Sequence, residues 1–262
     1  MSDVALTNLG RPLYPNGFTK GDLVDYYRRV APRILPFVAG RAVTLYRAPS
    51  GVAERGWYQT NCTGAPEWMR IAAVAGRRGA RFRMCVIEDE RSLVWAAQVG
   101  TIELHPFLWR LAEPQRPDWL VFDLDPGPPA GLAECCDVAL VLRSRLASDD
   151  AWVKTSGSVG LHVLAPVRDA TFAGTKARAR ELADGIPGTL LSQRRDLRAG
   201  RVLVDVQQND ATRSLVAPWS LRATAWPTVS MPVTWDELER TAADRRAERL
   251  VYDWRDVLNV IE

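Results

Sequence analysis

The sequence is poor in the residues that most often announce chemistry. It has two histidines and four cysteines in 262 residues. Cys62, Cys85, Cys135 and Cys136 include no CxxC pair, and adjacent Cys135 and Cys136 suit neither a tetrahedral zinc site nor an ordinary bridge. The thiols read as reduced, in a cytoplasmic protein. No uninterrupted apolar run reaches the ~18 residues of a membrane helix. The opening stretch MSDVALTNLGRPLYP has no apolar signal core. A soluble, unexported chain with no membrane partner is the expectation. An excess of one charge is missing too. With 34 basic and 31 acidic residues the net charge is +3, so any nucleic-acid face must be a local patch. No internal repeat, low-complexity segment or proline-glycine linker divides the chain.

What is present centres on Leu120 to Pro128, LVFDLDPGP. Leu120, Val121 and Phe122 read as a short buried strand, stopped by Pro126-Gly127-Pro128. Asp123 and Asp125, two apart on a strand, point to one face. Carboxylates held that close repel unless a cation lies between them. Hard oxygen donors suit Mg²⁺ or Mn²⁺. A second apolar strand, residues 201–206, brings Asp205 in a matching setting, and a third carboxylate is what a two-metal centre requires. The plainer reading, that Asp123 and Asp125 merely end a strand, loses ground once Asp205 is counted.

Two further constellations accompany it. Lys154 to His162, KTSGSVGLH, places small residues between strands at 151–155 and 161–167. Such a turn can aim successive backbone N–H groups at one phosphate, with Ser156 and Ser158 adding hydroxyls and His162 a ring donor. An ordinary hairpin and a buried structural histidine are the bland alternatives. Near the N-terminus, Arg11 lies on an extended arm over residues 1–19. Lys20 opens a helix predicted over 20–35, where unpaired N–H groups favour a phosphate. Thr19 is its N-cap, and Leu23, Tyr26, Tyr27, Val30 and Ile34 its inner face. Trp57 and Tyr58 are candidates to stack on a base, although core packing is the commoner use of such residues.

The remaining pattern predicts strands near 41–48, 80–88 and 214–218, and a short strand or loop at 56–61. Helices are predicted near 92–104, 131–147, 175–186, after Thr234 with its capping-box Glu237, and from about 248. Strands and helices alternate without a βαβ beat. The class is therefore α+β, mixed sheets flanked by helices, in one catalytic domain over 1–262. Its subregion 1–110 carries the DNA-binding features and 111–262 the metal and nucleotide site.

Read together, VFDLDPG, KTSGSVGLHV, RVLVDVQQN and APWSLRA resemble the polymerase domain of bacterial ligase D, a member of the archaeo-eukaryotic primase superfamily. YPNGFTKGDLVDYYRRVAP, GRAVTLYRAPSGV and GTIELHP extend the similarity from about Leu6 to Leu238. The resemblance implies a primase-type catalytic core in a stand-alone form. It implies two Mn²⁺ or Mg²⁺ ions on Asp123, Asp125 and Asp205. It implies nucleotide contacts at Ser156, Gly157, Ser158, His162, Gln208, Arg222 and His105, and DNA contacts at Arg11, Lys20, Trp57 and Tyr58. Partners would be gapped or broken DNA with a 5′-phosphate, an NTP or dNTP, and separate ligase and end-binding proteins. Two departures stand out. Thr60 and Val159 replace family lysines, each loss removing a cation that meets phosphate, and Lys154 is a candidate to compensate for the second. Competing readings are an aspartyl phosphohydrolase, disfavoured because Pro126 follows the second Asp, and a 5′-phosphate end-binding module without efficient catalysis.

Overall fold

The computed structural model describes residues 4–76 and 79–261, the side chain of Arg195 excepted. The first three residues of the expected arm lie outside them. The chain divides into two compact units: Met1–Ala112 with Ser214–Ser230 and Asp253–Glu262, and Glu113–Arg213 with Met231–Tyr252. Among the described residues no helix is long and apolar enough to cross a membrane.

The first unit is built on helix α1, Lys20–Val38, closed by a capping box in which Thr19 and Asp22 exchange side-chain and backbone hydrogen bonds. Leu23, Tyr26, Tyr27, Val30 and Ile34 are all buried, as their spacing predicts. The helix runs three residues beyond the expected Leu35, through Pro36. Ala39 N–H still bonds Leu35 O, and buried Val38 gains from the extra turn. The sheet beside it comprises β1 (Val43–Arg47), β2 (Trp57–Gln59), β3 (Ile71–Ala75), β4 (Arg81–Cys85) and β5 (Thr101–Pro106). Strand β1 pairs antiparallel with β2 and β5, and β4 with β3.

Four expectations need correction in this unit. Strand β3 lies outside the predicted strands, because the alanine-rich IAAVA lacks a strong β signal and gains its form from pairing with β4. The helix expected over 92–104 is α2, Glu90–Gln98, and it ends before β5. Gly100 at φ 80 turns the chain, and register pairing with β1 makes Thr101–Pro106 a strand. Residues 214–218 form no regular strand. Leu215 and Ala217 N–H bond Pro106 O and Leu104 O of β5, and Ser214 makes an isolated bridge with Phe107. Finally, Cys62 and Cys85 are not separate thiols: they form a disulfide, Cα atoms 5.0 Å apart. Cys62 N–H bonds Arg83 O and Asn61 Oδ1 accepts from Arg83 N–H, which lays the segment after β2 beside β4. Spacing alone does not reveal that contact. Cys135 and Cys136 are buried and reduced. Helix α6, Trp254–Ile261, supplies the C-terminal helix, beginning a few residues later than expected.

The second unit is a six-stranded sheet. Its strands are β6 (Trp119–Pro126), β7 (Trp152–Thr155), β8 (Leu161–Pro166), β9 (Thr189–Leu190), β10 (Val202–Asp205) and β11 (Pro232–Val233), in the order β11-β7-β8-β6-β10-β9. All neighbours are antiparallel except β9 and β10. Helices α3 (Leu132–Leu146), α4 (Phe172–Ala183) and α5 (Trp235–Asp244) complete it. Leu120, Phe122 and Leu124 of β6 join Val153, Leu161, Val163, Val202 and Val204 in one apolar cluster with Cys135, Ala139, Leu142, Ala179 and Leu182 of the helices. Alternation therefore consigns the intervening residues of β6, among them Asp123 and Asp125, to the opposite face.

Beyond Asp205 the strand gives way to a short 3₁₀ turn, Val206–Gln208, and the ladder is continued by a side chain. Asn209, fully buried, accepts from Val121 N–H at 3.0 Å and donates to Val121 O at 2.7 Å. It replaces the missing strand residue opposite Val121. Replacing Asn209 with Leu orphans a buried donor and acceptor, a loss of about 2–4 kcal/mol in chemical denaturation. A change under ~0.5 kcal/mol would show that Asn209 does not hold the strand end.

Candidate functional site

Strand register assembles the site of the second unit. Asp123 of β6 lies opposite His162 of β8 on one side and Asp205 of β10 on the other. Lys154 of β7 lies opposite His162. Cross-strand partners share a face, so Lys154, His162, Asp123 and Asp205 form one polar row on the face away from α3 and α4. Asp125 stands two residues along β6 on the same face. Lys154 Nζ is 2.6 Å from His162 Nδ1, and His162 Nε2 is 3.1 Å from Asp123 Oδ1. The sequence-derived triad is thus brought together on two adjacent strands.

The carboxylates are acceptor-only oxygen donors, partly accessible, of the kind a hard divalent cation takes. Each is also engaged by a protein donor. His162 holds Asp123, the Arg198 guanidinium lies 3.7 Å from Asp125 Oδ2, and Asp205 Oδ1 accepts from Gln207 N–H at 2.8 Å. Among the described residues no group of three or more His, Cys, Asp or Glu stands in metal-binding geometry. The donor chemistry fits a divalent ion, while the side-chain orientations serve these protein partners. Gln208 sits in the turn after Asp205. Arg198 was not singled out from sequence. Its loop is tied to the end of β6 by Gly127 N–H on Arg201 O and Gly200 N–H on Gly127 O, a contact no spacing rule predicts.

The hairpin loop between β7 and β8 differs from expectation. Ser156 Oγ accepts from Ser158 N–H at 3.2 Å and Gly160 N–H at 3.1 Å. These two donors are used inside the loop and do not point at an external anion. Gly157 adopts φ 71, and a Cβ on Gly160 would collide with Leu124 O, so both glycines are required by geometry. Lys154 cannot stand in for the cation missing at Val159, because it is fully buried on His162. Val159 itself is 60% exposed and lines an apolar cleft of about 390 Å³ with Pro126, Pro128, Leu132 and Val251.

In the first unit a second cluster forms around Glu103, a residue outside the sequence-predicted site residues. Its Oε2 lies 2.7 Å from His105 Nε2, while its Oε1 accepts from Ala223 N–H and lies 3.1 Å from Arg222 Nε. The signal was there: Glu103 and His105 share one face of β5 by alternation. Ser220 Oγ accepts from Leu104 N–H, and Tyr14 donates to Arg222 O, fixing the segment that carries Arg222. Trp219 adopts φ 66, a strained conformation for a bulky residue, held by its N–H on Ser230 O and by Tyr26 OH on its carbonyl. Tyr58 packs edge-on against His105 and Tyr46. Trp57, its neighbour on β2, takes the opposite face under Arg47. The two aromatics are exposed, as a stacking role needs, but they do not form one platform.

Arg11 and Lys20 are also brought together, by Lys20 N–H on Arg11 O. Burial and then the Arg11 charge lower the Lys20 pKa. The helix N-terminus offers no unpaired N–H groups here. Gly21 N–H bonds Leu9 O, Asp22 N–H bonds Thr19 Oγ1 and Leu23 N–H bonds Thr19 O. Any anion affinity at this end rests on the two cationic side chains.

The fold is that of a primase-polymerase domain. The model of the LigD primase-polymerase domain matches residues 19–255, and the chain belongs to that family. It is 34% identical over 262 residues to the multifunctional non-homologous end joining protein LigD of Mycolicibacterium smegmatis, covering 95% of this chain and 34% of that protein. It is 37% identical over 269 residues to the corresponding DNA repair protein of Mycobacterium tuberculosis, covering 95% and 35%. The chain thus spans about a third of the curated relatives it matches. The polymerase domain of Mycobacterium tuberculosis Ligase D in complex with DNA superposes with a TM-score of 0.90 at 34% identity, over 100% of this chain and 95% of that one. The α+β class and the ligase D resemblance read from sequence are both borne out.

Glu103 also carries a pH signature. Burial raises its pKa, but the His105 hydrogen bond, the Arg222 and His105 charges and the Ala223 N–H outweigh it, leaving about 2 against an ordinary 4.5. A lowered carboxyl contributes stability above the unfolded value that is lost as pH falls from about 4.5 towards 2. Glu103→Gln should flatten that window in urea denaturation while wild type loses about 3 kcal/mol across it. Equal slopes for both proteins would contradict the assignment.

Proposed function

We propose that this chain extends a primer 3′-hydroxyl with NTPs or dNTPs, directed by template, at gaps or breaks in DNA. The observation that carries this reading is the row of Asp123, Asp205 and His162, with Asp125 beside it, on one face of the second unit's sheet. Asp123, Asp125 and Asp205 would hold two Mn²⁺ or Mg²⁺ ions. When bound, these supply activation of the hydroxyl and neutralisation of triphosphate charge. His162 donates from Nε2 to a phosphate oxygen, and Ser156 keeps the adjoining loop in shape for it. Gln208 borders the carboxylates. In the first unit, Arg222 and His105 are held by Glu103 as nucleotide-contacting groups. Tyr58 offers a ring face, and Arg11 with Lys20 grips a 5′-phosphate. Burial and then the Arg11 charge disfavour the Lys20 cation, and a bound anion would offset both, which supports an anionic occupant there. The DNA in the Mycobacterium tuberculosis complex and the end-joining names of the relatives support DNA ends as the setting.

The test is extension of a gapped, 5′-phosphorylated duplex with NTPs or dNTPs under Mn²⁺ and Mg²⁺. Asp123→Ala with Asp125→Ala should lower extension at least ~10³-fold while leaving 5′-phosphate-dependent DNA binding in place. Unchanged extension refutes the site. A wild-type protein that binds such ends yet never extends them establishes the end-binding alternative.

Val159 gives a second expectation. Restoring the cation with Val159→Lys should lower the nucleotide KM about two- to fivefold, the effect of one exposed charge pair, with kcat little changed. A KM that is unmoved or raised would show that this position does not face the triphosphate.

A further inference from the structure

Lys154 is a buried ionisable group that the proposed chemistry leaves without a role. It is 0% exposed, on the polar face of β7, in register with His162. Placing an ammonium there is costly unless a partner receives its protons. His162 Nδ1, at 2.6 Å, is such a partner. An ammonium has donors and no acceptor, and a carboxylate has acceptors and no donor. Between them, one protonation pattern satisfies both contacts: Nδ1 bare and accepting from the Lys154 ammonium, Nε2 protonated and donating to Asp123 Oδ1 at 3.1 Å.

We propose that Lys154 is a positioning residue that fixes His162 in the Nε2–H tautomer, so that this ring donor faces Asp123 and, in the complex, a phosphate oxygen of the nucleotide. The assignment rests on the reading of His162 as a phosphate ligand. Lys154 touches no substrate; it acts through the ring. Without it His162 is free to carry its proton on Nδ1, which presents a lone pair, not a donor, to two anionic neighbours.

Two measurements test this. The chain has two histidines, so ¹⁵N NMR of the imidazoles, assigned with His105→Gln, reads His162 directly in the wild-type protein. A pyrrole-type Nε2 and a pyridine-type Nδ1 are expected. In extension assays Lys154→Met should raise the nucleotide KM about tenfold, with a smaller effect on kcat. Lys154→Met with His162→Ala should behave within about twofold of His162→Ala alone, because one acts through the other. A protonated Nδ1 in wild type, or effects that multiply in the double variant, overturns the proposal. If wild type incorporates no nucleotide, the functional reading fails while the ring spectrum still decides the Lys154 assignment.

Discussion

The constraint on which the second unit depends is the antiparallel register of β6 with its two neighbours. Asp123 lies opposite His162 and Asp205 because β6 pairs with β8 and β10 without a bulge between them. A slip of one residue would send Asp123 into the apolar layer under α3 and expose Phe122 in its place. Register is protected on both sides. Leu120, Phe122 and Leu124 are anchored in the core, and Asn209 ties the far end of the ladder to Val121. Like charges can therefore be kept adjacent, since the energy that holds them comes from the opposite face of the same strands.

The two units use the same physical device. In each, acidic groups sit on a strand face and meet cationic or ring donors from elsewhere in the sequence. Glu103 is held low by His105 and Arg222, and Asp123 faces the ring that Lys154 contacts. Such pairings give rigid, oriented polar groups in partly desolvated surroundings, where a bound anion or cation is felt strongly. Positions that look replaceable in the sequence matter through these contacts: Ser156 shapes a loop, Ser220 places Arg222, and Gly160 lets β8 approach Leu124 O.

Much of this was legible from residues alone, and the failures are physically instructive. The Asp123-Asp125 strand, the Thr19 N-cap of α1, the β7–β8 hairpin and the α5 capping box announce themselves locally, through period, caps and turn residues. What the sequence did not show is what pairing decides: β3 and β5 as strands, the disulfide of Cys62 with Cys85, the inward N–H groups of the Ser156 loop, and the paired first turn of α1. Glu103, Arg198 and Asn209 are invisible in the sequence because a lone Glu, Arg or Asn carries no motif. Their weight comes from partners that lie from two to 120 positions away along the chain.

The central claim is that Asp123, Asp125 and Asp205 act as one ion-binding set. Titration of the wild-type protein with Mn²⁺, followed by electron paramagnetic resonance, measures this without reference to turnover. Saturable binding that is lost or weakened at least about tenfold in Asp205→Asn, a residue remote in sequence from the other two, is the predicted result. Undiminished Mn²⁺ binding in that variant would contradict the account.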